Sequence, residues 1–140
     1  MQAVMSIEEM TAFLEQVFPQ VKDDFEILAM DGTHTEVRLK LAERHLRPGG
    51  TVSGPSMFAL ADVSAYIATM ARIGKEALTV TTNCSLDFMR KPEAGRDLIA
   101  RTELLKLGRS LSICHILIYS EGQEAPVARA NMTYAIPPRN

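Results

Sequence analysis

The stretch that determines the fold is residues 53–74, which read SGPSMFALADVSAYIATMARIG. Pro55 suits the first helical position, where its missing N–H would have no partner, and Gly74 suits a C-terminal cap. These two residues predict a helix over about residues 55–73. Apolar side chains and alanines lie on nearly all of its sides, so it lacks a clear polar face. A helix of this kind must be buried on nearly all sides.

Strand patterns lie on both sides of this helix in the sequence. Two strands are predicted before it, over residues 25–30 and 35–41, with Asp31-Gly32 as the hairpin turn. Four more follow it, and an antiparallel meander is their simplest topology, over residues 78–88, 97–107, 110–120 and 126–136. A sheet can bury a single apolar helix only by curling around it. We therefore predict one α+β domain over residues 1–140, with an antiparallel sheet wrapped around one long central helix.

Three local patterns complete the prediction. Ser6 and Glu9 have the spacing of a capping box, and the apolar positions after them indicate a short amphipathic helix that Pro19 ends. Residues 42–54 are rich in glycine and are predicted to form a sharply bent loop before the long helix. In the strand over residues 78–88, one of the two alternating faces carries Leu78, Val80, Thr82, Cys84, Leu86 and Phe88.

Composition and charge argue against several classes of function. Lys and Arg total 15 and Asp and Glu total 17, so no broad basic surface for nucleic acid is expected. Cys84 and Cys114 lack C-x-x-C or Cys/His ligand spacing, which indicates buried free thiols in a reducing compartment and no metal site. The N-terminus lacks a secretion signal pattern, and the longest apolar run, residues 57–71, is too short to span a membrane. We expect a soluble cytoplasmic protein.

Asp62 is the only acid in the predicted central helix. Burial of its carboxylate would cost free energy unless nearby groups compensate. One explanation is chemical, because a partly buried carboxylate can act as a nucleophile or deprotonate a water. The other is structural, in which the carboxylate caps or hydrogen bonds to a neighbouring backbone group. The pattern alone leaves both open.

Gly54 is the second candidate in this stretch. Its N–H lies at the positive end of the helix dipole, where it is placed to hold an oxyanion. Asp62 lies eight residues further on, about 12 Å away along a helix, so one chain cannot easily apply both groups to one carbonyl carbon. If both act in one site, a second copy must bring its Asp62 toward Gly54, which predicts a dimer. The alternative is that a junction between loop and helix simply favours glycine.

The segment SGPSMFALAD, residues 53–62, resembles the H-G-G-x-x-x-x-L-A-D segment of PaaI-like hotdog thioesterases without a gap. The segments RPGGTV, SLDFMRKP, LGRS and APVARANMTY are also similar to signatures of that family, so the resemblance spans roughly residues 35–136. It implies the hotdog fold and hydrolysis of a small or medium acyl-CoA thioester, aromatic acyl groups included. It also implies a homodimer that pairs into a dimer of dimers, and coenzyme A thioester as substrate with no cofactor.

The resemblance also implies roles for individual residues. Asp62 corresponds to the catalytic acid and Gly54 to the glycine whose N–H faces the thioester oxygen. Arg47 stands where the family usually has Asn or Gln, and it is expected to polarise the carbonyl or to hold the partner's Asp62. Ser53 replaces a common His, and Pro55 replaces the second glycine. These departures favour a second reading, in which the chain is a non-catalytic acyl-CoA binding or sensing module.

The remaining candidates are expected substrate contacts. The phosphates of coenzyme A are expected to meet basic side chains and turn N–H groups at Arg90, Lys91, Gly108, Arg109 and Ser110. The alternative is that these strand-end charges protect sheet edges and stay solvated. The acyl group is expected in an apolar cleft lined by Met57, Phe58, Leu60 and Met89.

Several polar residues near Asp62 in the sequence are further candidates. Ser53 and Tyr66 are expected to contact the substrate, and Ser64 and Tyr66 are candidate hydrogen-bond partners of Asp62. His45 is either a residue at the entrance or ordinary polar surface. No histidine lies near Asp62 in the matched segment, which argues against a hotdog dehydratase acting on hydroxyacyl thioesters.

Overall fold

The computed structural model describes residues 2–19 and 22–138. Both predicted helices and all six predicted strands are present, with bounds that differ from the predicted ones by no more than two residues. A single 3-10 turn, Glu43–His45, lies in the glycine-rich loop. The elements in chain order are α1 (Ile7–Val17), β1 (Phe25–Met30), β2 (His34–Leu39), α2 (Gly54–Ile73), β3 (Val80–Phe88), β4 (Leu98–Leu107), β5 (Leu111–Ser120) and β6 (Ala128–Ala135).

The six strands form one antiparallel sheet in the order β1-β2-β4-β5-β6-β3. Strands β4, β5 and β6 form the predicted meander, but the prediction is wrong for β3, which pairs with β6 instead of β4. Strand β4 pairs with β2, so the two halves of the chain meet in the middle of the sheet. The alternation that defines a strand carries no information on its neighbours. Because β3 is the last strand in this order, it lies at one edge of the sheet.

Helix α2 is the centre of the hydrophobic core, as predicted. Leu60, Ile67 and Met70 have no exposed surface, and α2 touches all six strands. Its buried hydroxyl groups are satisfied within the helix, since Ser64 donates to the Leu60 carbonyl at 2.7 Å and Thr69 donates to the Ala65 carbonyl at 2.8 Å. The sheet therefore wraps a helix whose only charged residue before its last turn is Asp62.

Helix α1 packs on the side of the core next to β1. The predicted capping box is present, since the Glu9 N–H donates to Ser6 Oγ at 3.1 Å and the Ser6 N–H donates to Glu9 Oε1 at 3.0 Å. Met10 and Leu14 enter the core, which fixes the helix against the sheet. The helix ends at Phe18, whose N–H donates to the Leu14 carbonyl.

Strand β3 departs from the predicted alternation because it is an edge strand with a bulge. The register shifts between Thr81 and Asn83, so Thr81 turns toward the helix while Val80 is 55% exposed. Cys84 was predicted to be buried, but it is only partly covered, whereas Cys114 on β5 is buried as predicted. Both cysteines are free thiols. A bulge cannot be read from an alternating pattern, because the pattern assumes that each residue has one partner.

The packing of α2 can be tested at Ile67, which has no exposed surface. Ile67→Ala should lower the free energy of unfolding by about 2–5 kcal/mol and Ile67→Val by about 0.5–1.5 kcal/mol, because each leaves a cavity in proportion to the atoms removed. Urea denaturation of both variants measures the difference. Equal losses in the two variants would show that Ile67 does not pack in a close-fitting core.

Candidate active site

The loop before α2 is held in place by backbone hydrogen bonds and by His45. The Ser53 N–H donates to the His45 carbonyl at 2.8 Å, and the Arg47 N–H donates to the Thr51 carbonyl at 2.9 Å. The His45 ring is 6% exposed, and its Nδ1 accepts the Ala42 N–H at 3.1 Å. Nε2 therefore carries the proton and faces Asp24 Oδ1 at 3.1 Å. His45 is thus neither a surface residue nor an entrance residue, but an anchor of the loop.

This anchored loop delivers Gly54 to the start of α2 with a free backbone donor. Ser53 caps the helix, since its Oγ accepts the Ser56 N–H at 3.3 Å and its carbonyl accepts the Met57 N–H at 3.1 Å. Pro55 has no N–H, so within the described chain Gly54 supplies the one first-turn N–H without an acceptor. An added Cβ at Gly54 would lie 3.3 Å from the Phe88 ring, which shows how closely β3 approaches the helix start.

A cavity of about 750 Å³, here called the helix-start cavity, opens at this point. Among the described residues, its walls contain three cations, Arg47, Arg90 and Lys91, and no acidic side chain. The Arg90 guanidinium also donates to the Pro126 carbonyl. Five of the predicted site residues therefore meet here. The lining residues are Arg47, Thr51, Val52, Ser53, Gly54, Pro55, Met57, Phe88, Met89, Arg90, Lys91 and Pro92.

The predicted acyl cleft is only partly present in this cavity. Met57 and Met89 line it, as expected, but two other residues of the prediction do not. Leu60 has no exposed surface because it lies on the core side of α2, and Phe58 is 40% exposed on the outer side of the first turns. The prediction is wrong for Leu60 and Phe58 because it assumed that all sides of α2 near Gly54 face the same cavity.

Asp62 lies in a second cavity, two turns further along α2, where two hydroxyl groups contact one of its carboxylate oxygens. The Thr81 hydroxyl on β3 donates to Asp62 Oδ1. The Tyr134 hydroxyl on β6 lies 2.6 Å from Oδ1 and 2.7 Å from the Asp62 carbonyl oxygen. Its single hydrogen favours the charged oxygen, which is the stronger acceptor. No donor in the described residues reaches Oδ2, so one oxygen is held and the other is free.

The groups around the carboxylate remain protonated. Burial, the negative charge of Asp62 and the hydrogen bond between them raise the pKa of Tyr134 far above its ordinary value, so it stays a donor. Burial and the nearby Asp62 carboxylate also raise the pKa of the Cys84 thiol. Burial raises the pKa of Cys114 to about 11. Neither thiol is therefore an activated nucleophile.

The predicted partners of Asp62 on its own helix are wrong. The Ser64 hydroxyl is bound to the Leu60 carbonyl, and the Tyr66 hydroxyl donates to the Ala77 carbonyl at 2.9 Å. Tyr66 instead packs against Tyr134, with the ring centroids 6.0 Å apart. Thr81 and Tyr134 were missed, although a buried tyrosine in the segment APVARANMTY is a signal, because its hydroxyl needs a partner.

The space around Asp62, here called the Asp62 cavity, measures about 390 Å³. It is separate from the helix-start cavity, as expected for two groups eight residues apart on one helix. Gly108, Arg109 and Ser110 form the β4–β5 turn and line neither cavity. The lining residues of the Asp62 cavity are Val17, Phe18, Asp62, Val63, Tyr66, Ala77, Thr79, Val80, Thr81 and Tyr134.

Metal sites and membrane spans can be assessed for residues 2–19 and 22–138. No group of three or more His, Cys, Asp or Glu side chains in these residues is arranged to hold a metal ion. None of the helices in the same residues has both the length and the apolar character needed to cross a membrane.

Comparison with known proteins identifies the family. A family model described as the thioesterase superfamily matches residues 49–127. A candidate thioesterase from a Silicibacter species is 60% identical in sequence, with a TM-score of 0.93 over 99% of this chain and 96% of that chain. No curated protein matches the chain.

More distant structures share the fold. A point mutant of the phenylacetic acid degradation protein PaaI from Thermus thermophilus is 25% identical, with a TM-score of 0.73 over 85% of this chain and 99% of that chain. A Streptococcus mutans protein solved with bound acetyl-CoA is 17% identical, with a TM-score of 0.72 over 84% of this chain and 91% of that chain. The chain belongs to the thioesterase superfamily and has the PaaI-like hotdog fold.

Proposed function

We propose that the protein hydrolyses acyl-CoA thioesters with small or medium acyl groups, aromatic ones included, to free acid and coenzyme A. The observation that carries this proposal is the state of Asp62. Hydroxyls from two strands hold one oxygen of its carboxylate, and the other oxygen faces a cavity with no donor in the described residues. A carboxylate arranged in this way is oriented and still free to react.

The helix-start cavity supports coenzyme A as the carrier of the acyl group. Coenzyme A carries a pyrophosphate and a 3′-phosphate, and three cations without an acidic neighbour suit these anions. The Streptococcus mutans protein of the same fold binds acetyl-CoA, which supports a similar ligand here. Gly108, Arg109 and Ser110 lie outside this cavity, so it does not support a role for them in nucleotide binding.

A homodimer would unite the two cavities, and the exposed edge of the sheet supports it. Near β3, several large apolar side chains are exposed, with Leu78 at 77% and Val80 and Phe88 at 55% each. An edge strand of this kind is suited to pair with a second copy of itself. The half-buried Cys84 lies midway along β3, so we place the two-fold axis near it.

This axis brings the reactive groups of two chains together. Because Cys84 lies midway between Thr81 and Asp87, antiparallel pairing sets Thr81 beside the partner's Asp87, and therefore next to the partner's Phe88. Thr81 contacts Asp62, and Phe88 lies against Gly54 in its own chain. Asp62 of each chain would then face the partner's Gly54. Pairing of dimers into a tetramer, and location in the cytoplasm, are proposed from the family resemblance and the free thiols.

In the proposed reaction, the thioester oxygen accepts a hydrogen bond from the partner's Gly54 N–H. Asp62 Oδ2 takes a proton from a water that attacks the carbonyl carbon, or it attacks that carbon itself. The resulting oxyanion is stabilised by the N–H at the helix start. The C–S bond breaks and the sulfur of coenzyme A leaves as a thiolate, which takes back the proton held by Asp62 in the water route and a proton from the hydrolytic water in the direct route. In the direct route, water then hydrolyses the acyl-Asp62 anhydride, so either route consumes one water.

Because of the departures from the family pattern, few groups at the helix-start cavity are available for the proposed reaction. Ser53 caps the helix, and Pro55 leaves Gly54 as the single free donor in the first turn of the described chain. Arg47 is exposed and lines the cavity, with no ion pair in the described residues. It is therefore available to the carbonyl or to a phosphate. The rival reading, a binding module without turnover, rests on the same cavity and differs only in the chemistry at Asp62.

Asp62→Asn should reduce turnover of acyl-CoA esters by at least about 10²-fold, because the amide keeps the shape and cannot accept the proton or attack. Release of free thiol from short, long and aromatic acyl-CoA esters measures the effect. Asp31→Asn, in the β1–β2 turn outside both cavities, is the matched control and should keep full activity. Unchanged turnover in Asp62→Asn would falsify the assignment, and no turnover in the wild type would favour the binding module.

Gly54→Pro should reduce kcat by about 10²–10³-fold, because it removes the N–H proposed to hold the oxyanion. Gly54 does not have a positive φ, so proline is compatible with this first helical position. Gly54→Ala is the control, since it keeps the N–H and requires only a small movement of the exposed Phe88 ring. Equal losses in the two variants would show that steric fit, and not the N–H, matters.

The same variants test whether the site is shared between chains. Co-refolding inactive Gly54→Pro with inactive Asp62→Asn should restore about a quarter of wild-type activity, because half of the dimers are hybrids with one intact site in two. Each variant refolded alone is the control. If mixing restores nothing while hybrids form, both groups act within one chain and the proposed dimer site is wrong.

Tyr134→Phe should lower kcat about 10-fold with little change in KM, because the carboxylate loses a donor that fixes its orientation. Tyr66→Phe is the matched control on the neighbouring ring, because its hydroxyl binds the Ala77 carbonyl and not Asp62. Steady-state kinetics of both variants separates an effect on the carboxylate from loss of a tyrosine hydroxyl in general. Similar kcat values for the two would contradict a positioning role for Tyr134.

A further inference from the structure

The C-terminal end of α1 forms one wall of the Asp62 cavity. Val17 and Phe18 line it together with Val63 of α2 and Val80 of β3. Phe18 is half-buried, and its N–H donates to the Leu14 carbonyl at 2.8 Å, which ties it to the last turn of α1. Helix α1 precedes residues 49–127, so this wall comes from outside the segment that matches the family.

The position of this wall relative to Asp62 is fixed by the packing of α1. Met10 has no exposed surface and Leu14 is buried, so the helix cannot shift without disturbing the core. Val63 follows Asp62 in α2, and it lines both the Asp62 cavity and the small gap beneath Leu14. Val63 therefore lies both where α1 packs on the core and in the wall of the Asp62 cavity.

The interior of the cavity suits an apolar guest. Four hydroxyl groups line it, and each already donates a hydrogen bond inside the protein. Thr81 and Tyr134 donate to Asp62, Tyr66 donates to the Ala77 carbonyl, and Thr79 donates to the Glu76 carbonyl. Among the described residues of the lining, Asp62 is the only charged one. A guest carboxylate would find no free donor among the described lining residues and would lie near the Asp62 carboxylate, whereas a hydrocarbon chain or ring needs no donor.

We propose that the Asp62 cavity holds the acyl group of the substrate, and that Val17 and Phe18 limit its length. This inference rests on the proposed function and extends it, because it names the cavity that binds the acyl group and the residues that limit its length. In this proposal the acyl group binds in the Asp62 cavity and not in the predicted cleft at Met57 and Met89. Within the proposed dimer, the carbonyl at the partner's Gly54 would direct its acyl group past Asp62 toward the end of α1.

The test measures binding, so that it does not depend on turnover. S-(2-oxoalkyl)-CoA thioethers of increasing chain length keep a carbonyl and have no thioester bond, and calorimetry gives their Kd values. For the wild type, each methylene that the cavity buries should tighten binding about fourfold, from about 0.8 kcal/mol per methylene. The gain should stop at the length at which the chain meets Phe18.

Two substitutions should move this length in opposite directions. Phe18→Ala should extend the gain in affinity to longer chains, because it enlarges the cavity at this wall. Val17→Phe should end the gain at shorter chains, because it fills the same space. Phe13→Ala is the matched control, since Phe13 lies on the same helix under the Lys75 ammonium and does not line the cavity. General loosening of α1 cannot produce shifts of opposite sign.

The outcomes separate this inference from the proposed function. Opposite shifts in Phe18→Ala and Val17→Phe, with none in Phe13→Ala, support the acyl cavity even if no thioester is hydrolysed. An unchanged length profile in both wall variants overturns the inference, even if the wild type is an active thioesterase. An equal shift in Phe13→Ala also overturns it, because the wall would then have no specific role.

Discussion

The constraint on which the rest of the structure depends is the exclusion of water from nearly the whole circumference of α2. Burial of each large apolar side chain, such as Ile67 or Met70, contributes about 1.5–3 kcal/mol. One flat sheet could cover only one side of such a helix, so the strands must curl, and all six of them contact it. Helix α1 covers part of the remaining side with Met10 and Leu14.

A carboxylate in this helix conflicts with that burial, and the structure resolves the conflict at the edge of the sheet. Asp62 is only partly covered, and β3 and β6 bring the hydroxyls of Thr81 and Tyr134 to one of its oxygens. These donors offset part of the cost of desolvation, while the second oxygen keeps its capacity to react. The bulge in β3 allows the contact between Thr81 and Asp62, because it turns Thr81 inward next to the exposed Val80.

The sequence predicts those features that depend on neighbouring residues. Pro55 and Gly74 mark the ends of α2, and the alternation of side chains marks six strands to within two residues. It does not predict which strands pair, because β3 and β6 are separated by two whole strands in the chain. The same holds for the contacts of Asp62, since Tyr134 lies 72 residues away and Thr81 faces it only through a bulge.

His45 shows a further limit of sequence reasoning. Its type and its place in a glycine-rich loop favour the surface, yet it is buried because Asp24, 21 residues earlier, and Ala42 occupy both ring nitrogens. Through the bond from the Ser53 N–H to its carbonyl, it sets where α2 begins. The free donor at Gly54 therefore depends on a buried histidine that precedes the family-matched segment.

The carboxylate and helix-start donor proposed for the chemistry lie in a different part of the chain from the residues proposed to limit acyl length. The family-matched segment contains Gly54, Asp62 and Thr81, together with Arg90 and Lys91 of the helix-start cavity, whereas Arg47 and Tyr134 lie just outside it. The wall at Val17 and Phe18 lies outside it. Under the proposed function, the size of the acyl group can therefore be altered at α1 without moving the carboxylate or the helix-start donor. The buried seat of α1 at Met10 and Leu14 would keep such changes local, because it holds the helix while its end varies.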